Sequence, residues 1–364
     1  MDKLKDFETE LNKCSKCGLC QAVCPIFKIT QNDCTVSKGK FKMLHGVTKG
    51  DLKLSANINK YLDMCLKCGK CREFCPSDID ICKILNIAKF EYMQTIFAHK
   101  LINFFQSKKI FRTIIKIGTF LSTPFRTNKI TSSENTKKIV YFKGCVNQIF
   151  PNTDKYLHKI FKESSIEIID KDFDCCGLPF LSEGNLERFI EAAEHNTKLL
   201  DEKFDYLVTD CASCESTILD YPKYTQCKDI SAKLLNWGEI IANENIKFHY
   251  KKKLRVTFHK PCHLKNDDFF EQIIKNCQNV EYVKMDNYDD CCGFAGSFAL
   301  KNVGLSNKIS KLKADNIKAS NSDYVITTCP ACILGLKRAL LLSGTKTKVV
   351  SLLEFLSKAN KIYK

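Results

Sequence analysis

Cysteine is where this sequence concentrates its chemistry, with 22 among 364 residues. Thiols in that number serve disulfides or metals. Disulfides persist in oxidising compartments and mainly staple domains too small to build a core. This chain is long, and its opening MDKLKDFETELNK has neither the apolar segment nor the small-residue cleavage site of an export signal. Metal ligation by thiolate is the chemistry that remains.

Two stretches repeat one spacing. The first is Cys14-x2-Cys17-x2-Cys20-x3-Cys24-Pro25 and the second is Cys65-x2-Cys68-x2-Cys71-x3-Cys75-Pro76. This is the run of bacterial two-cluster ferredoxins, in which the fourth Cys serves the other cluster. Three thiolates on a short loop hold three irons, and the fourth iron takes a ligand from elsewhere. The spacing therefore assigns Cys14, Cys17, Cys20 and Cys75 to one [4Fe–4S] cluster, and Cys65, Cys68, Cys71 and Cys24 to another. Gly18 and Gly69 sit at matching places where the backbone must turn around sulfide. Zinc sites pair two short Cys knuckles and lack this pattern. The 40 residues between the runs read as an insertion.

A longer repeat fills the remainder. Cys145, Cys175-Cys176-Gly177 and Cys211-x2-Cys214 recur as Cys262, Cys291-Cys292-Gly293 and Cys329-x2-Cys332, at offsets of 116 to 118. Asp205–Cys211 matches Asp323–Cys329, and Asp174 and Asp290 each precede a Cys-Cys-Gly. Adjacent thiols cannot easily enter one tetrahedral site, but they can bridge neighbouring irons of an unusual cluster, with the Gly letting the backbone pass close to the metal. A zinc site using four of the five thiols is the other reading at this stage.

The elements that must position these residues alternate. Short apolar runs at Ile139–Phe142, Ile166–Ile169 and Tyr206–Thr209 read as strands, separated by helical spacing at Asp154–Ser164 and Leu186–Leu200. The second copy follows with strands at Val256–Phe258, Val280–Lys284 and Tyr324–Thr327, and helices at Phe269–Cys277 and around Asn307–Ile317. This order predicts parallel sheets covered by helices, with most cysteines just beyond strand ends. The expected fold is α+β overall: a helical two-cluster ferredoxin-like domain over 1–90, a basic amphipathic linker over 91–135, and duplicated α/β cysteine-rich domains over 136–250 and 251–364.

With these motifs in hand, the chain resembles the CCG-domain iron–sulfur family. That family includes the glycolate oxidase iron–sulfur subunit, lactate-utilisation proteins, the C subunit of anaerobic glycerol-3-phosphate dehydrogenase and the B/D subunits of heterodisulfide reductase. Phe258-His259-Lys260-Pro261-Cys262-His263-Leu264 and Cys291-Cys292-Gly293-Phe294-Ala295-Gly296-Ser297-Phe298 are most similar to the first two branches. The resemblance implies an electron-transfer subunit of an oxidoreductase complex, not catalytic alone, fed by an FAD-binding dehydrogenase for 2-hydroxy acids and delivering to a quinone or other acceptor. It further implies one or two iron–sulfur clusters of non-cubane type, held by Cys145, Cys175, Cys176, Cys211 and Cys214, and by Cys262, Cys291, Cys292, Cys329 and Cys332. The alternatives are a heterodisulfide-reductase-like subunit whose clusters reduce a disulfide, or a subunit of another respiratory dehydrogenase. Both Cys-x2-Cys ends are intact here, whereas glycolate oxidase subunits often lose one of those thiols.

The rest of the sequence narrows the field. No dinucleotide fingerprint or P-loop is present, so no catalytic residue is assigned. Cys34, Cys82, Cys227 and Cys277 read as small buried hydrophobes. His259 and His263 read as hydrogen-bonded structural residues beside Cys262. The net charge is +16, but Lys is dispersed, no nucleic-acid motif occurs, and loaded clusters add negative charge, so nucleic acid is not an expected partner. Residues 92–133 carry seven Lys/Arg and no acid. Packing between domains is the preferred reading there, with docking on an anionic membrane as the alternative. The expected location is cytoplasmic, with peripheral contact at the inner face of the membrane as a variant.

Overall fold

The computed structural model describes residues 2–95, 137–149, 153–162, 166–200, 203–265 and 267–364. The basic stretch 92–133 lies almost wholly outside them. Among the described residues, no helix is long and apolar enough to cross a membrane.

The first 95 residues are helical. In both iron–sulfur runs the backbone turns the same way. Lys16 and Lys67 have φ of 58° and 55°, and Gly18 and Gly69 have φ of 87° and 77°. Each Gly then opens a one-turn helix, Leu19–Ala22 or Lys70–Glu73. Cys24 begins the helix Pro25–Thr30 with Pro at its first position, where the missing N–H is no loss. The segment between the runs folds into the helices Ser37–Thr48 and Ala56–Asp63, and the unit closes with Ile81–Gln94.

Two sheets follow. β1 (Lys137–Tyr141), β2 (Ile166–Asp170) and β3 (Tyr206–Val208) form a parallel sheet of order β2-β1-β3. β4 (Lys247–Phe258), β5 (Gln278–Tyr282), β6 (Tyr324–Thr327) and β7 (Lys348–Ser351) form a sheet of order β5-β4-β6-β7. The apolar runs of the sequence point to three strands in each copy, but β7 adds a fourth to the second. The short β8 (Lys361–Tyr363) pairs antiparallel with β4, so the second sheet is mixed rather than wholly parallel.

The two sheets match in detail. The N–H of Asp205 donates to the Lys138 carbonyl at 2.9 Å, and that of Asp323 to the Arg255 carbonyl at 2.7 Å. Asp205 accepts in return from the Lys138 N–H, and Asp323 from the Arg255 N–H. The N–H of Phe142 reaches the Val208 carbonyl, and that of His259 reaches the Ile326 carbonyl, both at 2.8 Å. A lone parallel bridge from Leu207 to Leu234 stands where β7 flanks β6.

One apolar core runs through all three parts. It joins Leu4, Leu44 and Ile84 of the helical unit to Phe189 and Leu207 of the first sheet domain and to Leu336 and Val349 of the second. An ionic knot reinforces it. Lys89 lies 2.6 Å from Asp63 and 3.7 Å from Glu183, and Glu183 also binds Lys301 at 2.5 Å.

Candidate functional site

The thiols of the helical unit converge on two cavities. The first is lined by Cys14, Cys17, Cys20 and Cys75, together with Cys71. The second is lined by Cys24, Cys65, Cys68, Cys71 and Cys82. Each fourth Cys of a run thus stands with the first three of the other run. Cys82, read from sequence as a small buried hydrophobe, is a fifth thiol on the second cavity. Burial and the neighbouring Cys65 push its thiol up to about 12. No spacing could have revealed it, because the helix Ile81–Gln94 delivers it from outside the run.

Cations surround the second cavity. The Lys40 ammonium donates to the Met64 carbonyl at 3.2 Å, and Lys67 donates to Asn86 at 2.7 Å. Burial works against ionisation of Cys65, but Lys40, Lys67 and Lys89 overcome it and hold that thiol below its ordinary value. Cys68 moves the other way. Burial raises it, and so do Cys262 and Cys291, the nearest thiols of the second sheet domain. The two units also lock at this seam, where Lys70 donates to Asp289 and Asp290, each at 2.9 Å.

In the sheet domains, every motif cysteine sits beyond the carboxyl end of a parallel strand, as expected. Cys145 follows β1, Cys175 and Cys176 follow β2, and Cys211 and Cys214 follow β3. Cys262, Cys291 and Cys292, and Cys329 and Cys332 follow β4, β5 and β6 in the same way. Cys211 and Cys329 begin the helices Ala212–Leu219 and Pro330–Ser343, whose positive N-terminal ends favour thiolates and an anionic cluster. Within the first set, Cys145 and Cys175 sulfurs are 3.2 Å apart, and within the second, Cys292 and Cys332 sulfurs are 3.6 Å apart. The glycine beside each pair has a packing cause as well. Gly177 has φ of 92°, and a Cβ there would meet the Phe189 ring at 2.7 Å.

The sets meet. Cys211 and Cys329 contact each other through their side chains, and the Ala212 N–H donates to the Thr328 carbonyl at 3.1 Å. Contact with Cys211 and Cys332, against the effect of burial, holds Cys329 well below its ordinary value. Contact with Cys145 and Cys176, with burial added, holds Cys175 well above. So many buried thiols cannot all ionise without a cation among them. The donor set fits polynuclear iron–sulfur groups, which are thiolate-bound and bring that positive charge.

The remaining candidates divide. His263 is hydrogen-bonded on both sides, to the Lys67 carbonyl at 2.8 Å and to Ser213 Oγ at 2.9 Å. His259 departs from expectation. It is fully buried and neither ring nitrogen has a hydrogen-bond partner. Cys277 is a buried hydrophobe whose thiol donates to the Ile273 carbonyl. Cys34 and Cys227 are half-buried and line neither cavity of the helical unit.

Comparison with known proteins agrees with this layout. Residues 10–79 match the 4Fe-4S dicluster domain, and residues 139–219 and 256–337 match the cysteine-rich CCG domain. The chain is similar to a fumarate reductase (CoM/CoB) subunit from Methanothermobacter marburgensis, at 28% identity over 372 residues, covering 96% of this chain and 72% of that one. It is similar to the probable glycolate oxidase iron-sulfur subunit of Bacillus subtilis, at 23% identity over 94% of this chain and 92% of the other. Lactate utilization protein A of a Geobacillus species is 27% identical over 60% of this chain and 99% of its own length. Matching domains in matching order give the chain a 4Fe-4S dicluster domain followed by two cysteine-rich CCG domains, and make it a homologue of the iron–sulfur subunits of oxidoreductase complexes.

Proposed function

We propose that the chain is the electron-carrying subunit of a flavin-dependent 2-hydroxy-acid dehydrogenase of glycolate or lactate type. It would accept electrons from an FAD-binding partner and release them toward a quinone or similar acceptor. The observation supporting this most is the continuity of the thiols. Cys71 lines both cavities of the helical unit, Cys68 borders Cys262 and Cys291, and Cys329 touches Cys211.

In this reading Cys14, Cys17, Cys20 and Cys75 hold one [4Fe–4S] cluster, and Cys65, Cys68, Cys71 and Cys24 hold the second. Each five-cysteine set holds a further iron–sulfur group. When bound, such groups supply one-electron transfer without a hydride. The residues do the rest. Lys40, Lys67 and Lys89 offset the negative charge of the second site, which favours its reduced form. The domain divisions at 1–90, 136–250 and 251–364 belong to this proposal, with β4 spanning the last of these boundaries.

The test is anaerobic co-expression with a flavoprotein 2-hydroxy-acid dehydrogenase. Cluster bleaching by glycolate or lactate only when the flavoprotein is present supports the reading. Zinc in place of iron in the sheet domains, or no bleaching in a loaded complex that turns substrate over, overturns it.

The contact between Cys211 and Cys329 favours one second reading, in which the paired centres reduce a disulfide. Two electrons, with two protons from solvent, would convert R–S–S–R′ to two thiols, and the two five-cysteine sets would hold groups close enough to supply one electron each. A loaded chain that reduces a disulfide without any partner would select this reading over the first.

A further inference from the structure

The two sheet domains are near-copies in backbone but not in what faces their thiols. His259 and Phe142 occupy one position, since each donates its N–H to the equivalent carbonyl at 2.8 Å, on β6 or on β3. Both side chains are buried, at 0% and 1% exposure. Phe142 has no polar atom and packs on Phe173 with ring centroids 4.7 Å apart. His259 has two nitrogens, neither with a hydrogen-bond partner, and one lies within 4.8 Å of the sulfurs of both Cys292 and Cys332. Burial, and then the nearby Lys313, hold the imidazole well below the ordinary histidine value, against smaller opposing effects from Cys329 and the Tyr288 backbone. A buried N–H left unmatched is costly, so a group of this kind is retained where an acceptor belongs. Besides the Tyr288 backbone, the acceptors within reach are sulfurs.

A second difference points the same way. Lys313 is 1% exposed on the helix Val303–Ala319, and its ammonium donates to the Asn287 carbonyl. Burial lowers its ammonium to about 8, against the pull of Asp290, Cys292, Cys291 and Asp289, with which it interacts. The residue 117 positions earlier, the offset between Cys145 and Cys262, is the neutral Asn196, whose amide donates to the Cys175 carbonyl at 3.1 Å.

We propose that His259 donates an N–H···S hydrogen bond to the second five-cysteine centre, at Cys292, Cys332 or a sulfide between them. With Lys313 it makes that centre the more easily reduced of two otherwise similar sites. Hydrogen bonds to sulfur and nearby positive charge both stabilise the reduced, more negative state. The two centres therefore differ in potential, and electrons within the pair rest on the second, the one that borders Cys68. His259 acts as a positioning residue, with the redox chemistry belonging to the centre. The inference rests on the reading that both five-cysteine sets hold iron–sulfur groups.

The test uses the full-length, anaerobically loaded chain. Iron and sulfide content comes first, because absence of iron from the sheet domains defeats the underlying reading rather than the role of His259. Potentiometric titration followed by electron paramagnetic resonance should then resolve two sheet-domain centres in the unaltered protein. His259→Phe, which copies the first domain, should lower one midpoint toward the other and leave the ferredoxin-type clusters unmoved. His259→Gln keeps an N–H and should retain most of the difference. Superimposable titrations of His259→Phe and unaltered protein, at equal iron content, overturn the proposal. The unaltered protein with ¹⁵N-labelled histidine provides a check independent of the variants' folding. Weak nitrogen hyperfine coupling in the reduced state is expected. No coupling removes the hydrogen bond, and strong coupling replaces it with direct ligation.

Discussion

Cys211 and Cys329, 118 residues apart in sequence, touch through their side chains at the seam between the two cysteine-rich domains. Each belongs to a different five-thiol set, so the sets adjoin. Ser213 ties the seam further, with its hydroxyl 3.6 Å from the Cys329 sulfur and 2.9 Å from His263 Nδ1. Cys329→Ser should therefore act on both sides. We expect loss of iron from the second centre together with an altered paramagnetic spectrum of the first. Iron assay and spectra of the reduced variant check this, and an unchanged first-centre spectrum counts against close coupling.

The crossed placement of the fourth cysteines makes a sharper prediction. Cys75 lines the cavity of Cys14, Cys17 and Cys20, and Cys24 lines that of Cys65 and Cys68. Cys75→Ala should convert or lose the cluster of the first run and spare that of the second. Cys24→Ala should do the reverse, even though Cys24 lies in the first run. Each should remove about one to four irons per chain, since a cubane that loses one thiolate loses an iron or the whole cluster. Cluster-specific Mössbauer or paramagnetic spectra distinguish the two cases.

Lys89 is 4% exposed in its side chain and holds carboxylates from two units, Asp63 and Glu183. Lys89→Met leaves both acids to Lys301, which is more exposed. Breaking a buried pair costs about 3–5 kcal/mol. We expect the lower end of that range, read from denaturant midpoints on apo-protein.

The same knot sets a pH dependence. Burial opposes ionisation of Glu183, but Lys89 and the hydrogen bonds from Lys301 and Ser297 outweigh it and hold the carboxyl below its usual 4.5. A depressed carboxyl contributes stability above its unfolded value and loses it as pH falls through the folded one. Stability should therefore decline as pH drops below about 4.5, and Glu183→Gln should flatten that slope. Parallel melts across acidic pH test this.

Gly293 combines φ of 83° with close neighbours, because a Cβ would sit 2.8 Å from Ser310 Oγ and 2.9 Å from the Ser306 carbonyl. Left-handed backbone alone costs a non-glycine residue roughly 1–2 kcal/mol. Gly296 also has positive φ but meets nothing within 4 Å. Gly293→Ala should lose clearly more stability than Gly296→Ala in urea unfolding. Equal losses would mean that the helix Val303–Ala319 yields to the added methyl.

Local order in this molecule could be read from its residues, whereas juxtaposition could not. The Cys-x2-Cys runs disclosed two loops because their chemistry is local, and β-branched runs before Cys145, Cys211, Cys262 and Cys329 disclosed strands because their periodicity is local. The approach of Cys68 to Cys262 and Cys291 depends on how a loop docks on a sheet domain, which no spacing encodes. The presence of Cys82 on the second cavity depends on the turn of a helix. His259 looked like an ordinary buried histidine until its missing partners could be counted. β8 and the first half of β4 escaped notice for another reason. Lys247–Lys253 is rich in lysine, and its strand is fixed by pairing with Lys361–Tyr363 rather than by apolar alternation.

The hydrogen bond from the Ala212 N–H to the Thr328 carbonyl has no mirror image. Its counterpart would start from residue 330, and that residue is Pro330, which has no N–H to give. Two identical units meeting at this seam would be bound to keep every contact twice, and any change would strike both halves at once. Joined in one chain, the halves escape that constraint. One can take a proline while the other keeps the donor, and one can carry a phenylalanine where the other carries a histidine, so a symmetric pairing becomes a junction with a direction.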